Sequence, residues 1–240
     1  MRCLNRSDAL AEQLLAWPGL DLTQGASAGR RYTGNMKHAV IIAHPRPDSF
    51  TAAAAHTYAD ACAELGFELV FRDLYQFGFD PCLKAHEIPG PGFHPAPDVV
   101  AERAILQECD IFALFYPLWL NAPPAILKGY LDRVFGFGFA YGADGHSYNP
   151  LLKGRKLISF SSSGAPVSWL KQTGAMDAVC TLFDDYFSEL CGLSFVDHVH
   201  AGSVTPGASE SFVKARMQDV RKAVIQHFGR IDHVAHENQT

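Results

Sequence analysis

The sequence AVIIAHPRPDSFTAAAAHTYADACAEL, residues 39–65, predicts a buried β-strand that leads directly into an amphipathic helix. Its first five residues form an apolar run, which with His44 has the length of a strand, and the helix is expected over about residues 51–65. Within that helix, Tyr58, Cys62 and Leu65 follow one another at helical spacing and form the predicted buried stripe. A buried strand followed at once by a helix is the first half of a βαβ unit.

The same alternation recurs along the chain. Further strands are predicted at residues 67–73, 111–115, 156–160 and 193–201, and further helices at 97–109, 123–135, 175–191 and 209–228. The strands near residues 40, 112 and 158 are almost continuously apolar, as parallel strands covered on both faces are. We therefore predict an α/β fold with a doubly wound, five-stranded parallel sheet, whose ligand lies at the carboxyl ends of the strands.

The two ends of the chain differ from this alternating region. We expect residues 1–35 to be a flexible or weakly helical N-terminal extension, residues 36–230 to be the ligand-binding domain and residues 231–240 to be a C-terminal tail. The extension has three interpretations: a short helix with a tether, a tail specific to this protein, or sequence upstream of a start at Met36.

Composition limits the function classes. Hydrophobic residues make up 48% of the 240 residues and charged residues only 19%, which excludes a wholly disordered chain. The net charge of −5 argues against a nucleic-acid binder led by phosphate contacts. The apolar run at residues 111–120 is too short to span a membrane. The six cysteines include no C-x-x-C pair, so we expect reduced, mostly buried thiols and a cytoplasmic protein.

The first loop at the predicted ligand edge runs from His44 to Thr51. Ser49, Phe50 and Thr51 stand at the start of a helix, where free N–H groups and the helix dipole favour an anion such as phosphate. The alternative is that Ser49 only caps the helix. The loop contains neither a G-x-G-x-x-G fingerprint nor a Walker A motif.

The second and third loops follow the predicted strands at 111–115 and 156–160. The second contains Pro117, Leu118, Trp119 and Leu120. Its indole could lie against a planar ligand, or it could be a core or dimer-interface tryptophan. The third contains Ser161, Ser162, Ser163 and Gly164. Its consecutive N–H groups suit an anionic or carbonyl-rich ligand edge, although an ordinary polar loop is the alternative.

Two sets of polar residues lie near the C-terminal end of the sequence. His198 and His200 lie two residues apart on a strand and so point to one face. Together they could bind a metal. Because no third ligand stands at a useful spacing, we predict no metal site and treat both as strand-end polar residues. Another four basic residues are predicted to form a solvated helix face: Lys214, Arg216, Arg221 and Lys222.

Three segments together resemble a known family. They are FYPLW at residues 115–119, PAILKGYLDRVF at 124–135 and GFAY at 138–141. They resemble the flavin-dependent NAD(P)H:quinone oxidoreductases of the flavodoxin-like fold, which include DT-diaphorase, modulator of drug activity B and the ancillary reductases of potassium-efflux systems. The resemblance covers about residues 37–228.

The resemblance implies a flavin on the three loops, FAD or FMN with FAD preferred, and NAD(P)H as co-substrate. By position, His44, Ser49, Phe50 and Thr51 match residues around the flavin phosphate. The segment from Pro117 to Leu120 matches the one under the isoalloxazine, and Ser161 to Gly164 match the loop that hydrogen-bonds the ring. The implied reaction is a ping-pong, two-electron reduction of a planar acceptor such as a quinone, in a homodimer whose active site lies at the interface.

The sequence departs from the family at two positions. Where the quinone reductases have a tyrosine and a histidine that stabilise the reduced flavin, ungapped counting places Trp169 and Ala175. We expect Trp169 together with the backbone N–H groups around Ser162 and Gly164 to serve as the catalytic groups. The departure leaves the natural acceptor open.

The sequence is compatible with two other functions. One is a regulatory, reductase-like subunit of a membrane transporter, with residues 1–35 as its docking tail. The other is a flavodoxin-like electron carrier, against which the PAILKG helix and the long loop at residues 76–97 argue.

Overall fold

The computed structural model describes residues 36–144 and 147–229. The expectations for residues 1–35 and for the tail at 231–240 lie outside the described residues.

The described chain forms seven strands, five of them in one parallel sheet. In chain order they are β1 (Lys37–Ile42), β2 (Glu68–Asp73), β3 (Ile111–Pro117), β4 (Tyr141–Asp144), β5 (Ser147–Pro150), β6 (Lys156–Ser162) and β7 (Ser194–Ala201). The sheet order is β2-β1-β3-β6-β7, and the prediction of a doubly wound five-stranded sheet is confirmed. The antiparallel hairpin β4–β5 was not predicted. β1 ends before His44, since Pro45 has no N–H with which to continue the ladder.

The helices cover both faces of this sheet. They are α1 (Phe50–Glu64), α2 (Pro97–Leu106), α3 (Ala125–Val134), α4 (Val167–Gln172), α5 (Ala175–Val179), α6 (Phe187–Cys191) and α7 (Glu210–Phe228). A short 3₁₀ turn covers Ala85–Glu87, and a π-helical segment, Cys180–Tyr186, joins α5 to α6. In the described chain no helix combines the length and hydropathy needed to cross a bilayer.

Two helix predictions are corrected. The single helix predicted over residues 175–191 is divided by the π-helical segment, in which Asp184 is fully buried against the sheet. Leu65 is not part of the buried stripe of α1, because the helix ends at Glu64 and Gly66, at φ +79°, turns the chain away. Leu65 is consequently exposed.

Alternate side chains of β3 fill two separate cores. Ile111 and Phe115 point to the face covered by α1 and α7, and Phe112 and Leu114 point to the opposite face, covered mainly by α2 and α3. Phe115 stacks on Phe160 of β6, with 4.7 Å between ring centroids. This two-sided burial accounts for the continuous apolar runs in the sequence.

The long loop at residues 76–97 is held to α3 by Arg133. Its guanidinium is buried and donates to the Glu87 carboxylate at 2.9 Å, to the Asp98 carboxylate at 2.8 Å and to the Asp80 carbonyl at 2.5 Å. Burial opposes the charge of Glu87, but its bonds to Arg133 and to backbone N–H groups leave the pKa of that carboxyl below its usual range. The loop is therefore anchored by a buried ion pair.

A buried histidine lies on the other face of the sheet. His38 on β1 is fully buried, with its Nδ1 2.7 Å from the Tyr58 hydroxyl and its ring stacked on Phe67. Burial, and then the charge of Lys156, lowers the pKa of His38 to about 3. The folded protein therefore keeps this ring neutral.

We expect Arg133→Gln to lower the free energy of unfolding by about 3 kcal/mol or more, because it leaves the Glu87 carboxylate buried without its cation. The matched control is Lys128→Gln on the same helix, which removes an exposed ion pair with Asp132 and should cost about 1 kcal/mol or less. Urea denaturation measures both changes. Equal effects of the two substitutions would contradict this role of Arg133.

Burial of His38 predicts an acid-sensitive stability. Between pH 6.5 and about 3 the unfolded chain binds a proton at this residue that the folded chain does not, so stability falls as the pH falls. The contribution is at most about 1.4 kcal/mol per pH unit. In denaturation series from pH 6.5 to 4, His38→Phe should flatten this slope, and His56→Gln on the exposed side of α1 should not. An unchanged slope in His38→Phe would refute the assignment.

Candidate active site

Three loops meet at the carboxyl edge of the sheet. They are loop A (residues 43–49, after β1), loop B (residues 118–124, after β3) and loop C (residues 163–166, after β6). In loop B, the Leu118 N–H donates to the Ser162 carbonyl at 2.6 Å, and the Trp119 ring lies 5.8 Å from the His44 ring of loop A. The structure thus brings the three predicted loops together at the topological switch point, where doubly wound sheets bind ligands.

Loop A leaves the start of α1 ready for an anion. Ser49 does cap the helix, since its Oγ accepts from the Ala52 N–H at 3.1 Å and its carbonyl accepts from the Ala53 N–H at 3.0 Å. The two remaining N–H groups of the first turn belong to Phe50 and Thr51, which have no partner within the helix. The capping and anion-binding interpretations are therefore compatible, as helix N-termini favour negative charge.

A basic side chain from α7 faces the same place. Phe50, Thr51, Ser162, His200 and Arg216 line one narrow cleft with room of about 20 Å³, enough for a single water. Among the described residues the buried Arg216 Nε has no hydrogen-bond partner, although the guanidinium pairs with Asp219 at 3.1 Å. A buried donor without an acceptor is costly, and an anion at α1 would supply one. The prediction that Arg216 belongs to a solvated face is wrong for this nitrogen.

Loop B has a strained backbone. Leu120 and Asn121 adopt φ values of +51° and +58°, in the left-handed region that costs non-glycine residues about 1 kcal/mol or more. The Asn121 amide donates to the Ala175 carbonyl at 2.9 Å, which ties the loop to the start of α5. Trp119 is half-exposed beside His44 of loop A, and the Leu120 side chain is fully exposed.

The serines at the end of β6 and in loop C are more buried than the residues of a surface loop usually are. Ser161, Ser162 and Ser163 are each less than 10% exposed. The Ser163 N–H is not free for a ligand, because it donates to the Ala201 carbonyl at 2.9 Å. At Gly164, by contrast, a Cβ would meet only the Val204 carbonyl oxygen at 3.9 Å, so this glycine presents its backbone to open space.

His198 and His200 point to one face, as predicted, but they are not simple strand-end residues. The Ser161 Oγ lies 2.6 Å from His198 Nε2 and 2.7 Å from His200 Nδ1. His198 Nδ1 in turn lies 2.6 Å from the buried Asp184 carboxylate. Burial, and then the charge of His198, lowers the pKa of His200 to about 4. Sequence reasoning missed this polar cluster.

One set of donor atoms here has metal-ligand chemistry. The ligand atoms of Cys180, Asp184 and His198 lie within 4.8 Å of one another. Burial, and then Asp184, raises the pKa of the Cys180 thiol to about 12, which disfavours the thiolate that a metal needs. The Asp184 carboxylate is already satisfied by His198 and by Ser159 at 2.7 Å. We therefore assign these residues to a hydrogen-bond network.

The two positions at which the sequence departs from the family lie apart from this cluster. Trp169 is half-exposed on α4, and its backbone hydrogen bonds stay within that helix and its cap. Its predicted catalytic role remains a prediction. Ala175 opens α5 and contributes only its carbonyl, which accepts from Asn121.

Comparisons with known proteins agree with this geometry. The model of the family described as flavodoxin-like fold matches residues 36–227. An uncharacterised NAD(P)H oxidoreductase of Haemophilus influenzae is 33% identical over 171 residues, which are 70% of this chain and 85% of that protein. NAD(P)H dehydrogenase [quinone] 1 of Cavia porcellus is 30% identical over 52% of this chain, a match that spans only 53% of its own length.

A solved structure shares most of the fold. The NAD(P)H:quinone oxidoreductase from Methanothermobacter marburgensis superposes with a TM-score of 0.69 and 25% sequence identity. The match covers 79% of this chain and 98% of that chain.

The strain in loop B can be measured. We expect Leu120→Gly to leave the free energy of unfolding unchanged or to raise it by up to about 1 kcal/mol, because glycine accepts positive φ without strain. Val100→Gly, at another exposed apolar residue but inside α2, should lower it by about 0.5 kcal/mol. A loss in Leu120→Gly as large as that in Val100→Gly would show that loop B is not strained at this residue.

Proposed function

This chain belongs to the flavodoxin-like family of NAD(P)H:quinone oxidoreductases, and we propose that it is a flavin-dependent enzyme that transfers two electrons from NAD(P)H to quinones or similar planar acceptors. The observation that carries the proposal is the convergence of loops A, B and C at the switch point of the sheet. There, the exposed indole of Trp119 lies 5.8 Å from the ring of His44, in the loop that leads into the start of α1.

The start of α1 and Arg216 are suited to hold the flavin phosphate. Three features favour a negatively charged oxygen: the N–H groups of Phe50 and Thr51, the dipole of a 15-residue helix, and the Arg216 Nε, which has no hydrogen-bond partner among the described residues. This supports FAD or FMN as the cofactor, since both carry a phosphate; the preference for FAD remains a prediction.

The apolar surface of loop B and the open backbone at Gly164 are suited to hold the ring. Trp119 and Leu120 supply exposed apolar area for a flat molecule, and Gly164 has no side chain to keep a ring edge away. A bound flavin would accept a hydride from NAD(P)H and pass it to the acceptor. The residues of the chain would bind the ring and exclude water, which hydride transfer requires more than a side-chain base.

We propose that the working unit is a homodimer. Trp119, Leu120 and Trp169 are large apolar side chains that the single chain leaves exposed, and a second copy over them would cover the site. NAD(P)H and the acceptor would then use one shared pocket in turn, in a ping-pong sequence.

The alternative role beside a membrane transporter depends on residues 1–35, which lie outside the described residues. A cytoplasmic location likewise remains a prediction.

The proposed function is tested on the purified full chain. We expect it to be yellow, or to become so with FAD or FMN, and to lose that colour with NADH or NADPH in the absence of oxygen. Adding a quinone should restore the colour within one turnover. A chain that takes up neither flavin, or whose bound flavin is not reduced by either nucleotide, would overturn the proposal.

Substitutions of two glycines test where the flavin ring lies. We expect Gly164→Ala to fold normally but to bind the flavin about tenfold or more weakly, because the added methyl enters the open surface above loop C. Gly142→Ala in the β4–β5 hairpin is the control: its Cβ would meet only Leu151, at 3.6 Å, and flavin affinity should not change. Unchanged affinity in Gly164→Ala would place the ring elsewhere.

A further inference from the structure

A continuous line of hydrogen bonds runs beneath loop C, from the π-helical segment to Ser163. Asp184 contacts His198, His198 contacts Ser161, Ser161 contacts His200, and His200 Nε2 contacts the Ser163 Oγ at 3.0 Å. At one end the Ser159 hydroxyl donates to Asp184, and at the other the Ser163 Oγ lies 2.9 Å from the Ala165 carbonyl. We call these five residues, Asp184, His198, Ser161, His200 and Ser163, the buried relay.

The number of available hydrogens determines how the buried relay is protonated when all of its hydrogen bonds are formed. Ser163 donates to the Ala165 carbonyl, so His200 Nε2 must carry the proton of its bond to Ser163. His200 Nδ1 is then an acceptor, and Ser161 donates to it. Ser161 can only accept from His198 Nε2, while His198 Nδ1 donates to Asp184. In this first arrangement His198 is a cation and His200 is neutral.

A second arrangement uses the same contacts with one proton fewer. His198 keeps its bond to Asp184, Ser161 donates to His198 Nε2, and His200 donates from Nδ1 to Ser161. Ser163 then turns to donate to His200 Nε2, and the Ala165 carbonyl still accepts from the Ser203 N–H at 3.0 Å. Because each arrangement satisfies every member, the relay can gain or lose a proton without leaving a buried group unpaired.

The groups that face His198 are consistent with a cation there. From the π-helical segment, Asp184 is a buried carboxylate that needs a positive partner, and Cys180 is a neutral thiol at 3.8 Å. From β3, Tyr116 is a neutral phenol whose pKa burial raises well above its usual value. On β7, the Asp197 carboxylate accepts the His198 backbone N–H and lies 3.0 Å from His227 of α7.

We propose that the buried relay is the proton donor of the reaction, delivering one proton per turnover to the reduced acceptor through Ser163. The proposal rests on the proposed function. Transfer of a hydride from NAD(P)H gives a quinone two electrons and one hydrogen, so one further proton is needed to complete the hydroquinone. Ser163 directly precedes Gly164, the residue with an open surface, which places this end of the relay beside the proposed pocket.

Delivery of the proton converts the first arrangement into the second. The His198 Nε2–H bond breaks as Ser161 Oγ takes that proton, and the former Ser161 proton passes to His200 Nδ1. The His200 Nε2–H proton passes to Ser163 Oγ, whose own proton goes to the acceptor oxygen. One proton leaves, the charge on His198 is neutralised, and solvent restores the proton through Ser163 after the product has left.

The first test is made on the full chain without flavin, labelled with ¹⁵N and observed by imidazole NMR. His198→Gln and His200→Gln assign the two rings. We expect the His200 proton to move from Nε2 to Nδ1 over the same pH range in which His198 loses its proton. Ser161→Ala should abolish this coincidence, and Ser188→Ala, which removes a buried hydroxyl on α6 outside the relay, should preserve it. A His200 tautomer that does not change, or a coincidence that persists in Ser161→Ala, would overturn the relay.

The second test separates the two half-reactions by rapid mixing. We expect Ser161→Ala to slow oxidation of the reduced enzyme by a quinone at least tenfold more than its reduction by NAD(P)H, because only the former needs the delivered proton. Ser188→Ala should not change that ratio. Equal slowing of both half-reactions would overturn the role of the relay in turnover. If the wild-type chain binds no flavin the proposed function itself fails, an outcome that the flavin-free NMR result distinguishes from failure of the relay.

Discussion

The parallel register of β1, β3 and β6 is the constraint on which the rest of the structure depends. It brings the ends of three apolar strands side by side, so that loops A, B and C leave the sheet at one place. The bond from the Leu118 N–H to the Ser162 carbonyl continues the β3–β6 ladder beyond its last paired residues, and it fixes loop B against the start of loop C. Residues far apart in the chain, such as His44 and Trp119, meet because of this register.

The two faces of the sheet supply different chemistry to this edge. On the face of α1 and α7, an apolar core ends in a cleft lined by the helix start, by Arg216 and by its ion-pair partner Asp219, where the free N–H groups of the helix favour negative charge. On the opposite face, the π-helical segment brings a carboxylate against β6 and β7, where it organises two histidines and two serines. Burying so many polar groups is costly unless each is paired, and here each has a partner. We propose that the site combines anion binding at the start of α1 with proton transfer through the buried relay, and His200 lies in both, since it also lines the cleft beside Arg216.

Much of the fold and the positions of the three loops could be predicted from the sequence, because both follow from local periodicity. The buried strands are long apolar runs, and Ser49 marks the start of a helix by its type alone. The site residues that the sequence did not reveal owe their positions to tertiary packing. Arg216 has the spacing of a surface residue, and only the packing of α7 beside α1 buries its Nε. Burial of Asp184 against the sheet could not be predicted from the helical period, because the π-helical turn changes which side chains of residues 175–191 face the sheet.

We propose that loops A, B and C hold a flavin with its phosphate at the start of α1. The most direct measurement compares the dissociation constants of riboflavin and FMN for the flavin-free full chain, since the two ligands differ only by the phosphate. The N–H groups of Phe50 and Thr51 together with Arg216 should favour FMN by at least about tenfold, because charge-assisted hydrogen bonds contribute about 1.5–3 kcal/mol each. Arg216→Gln should reduce that preference. Equal affinity for riboflavin and FMN would contradict the account.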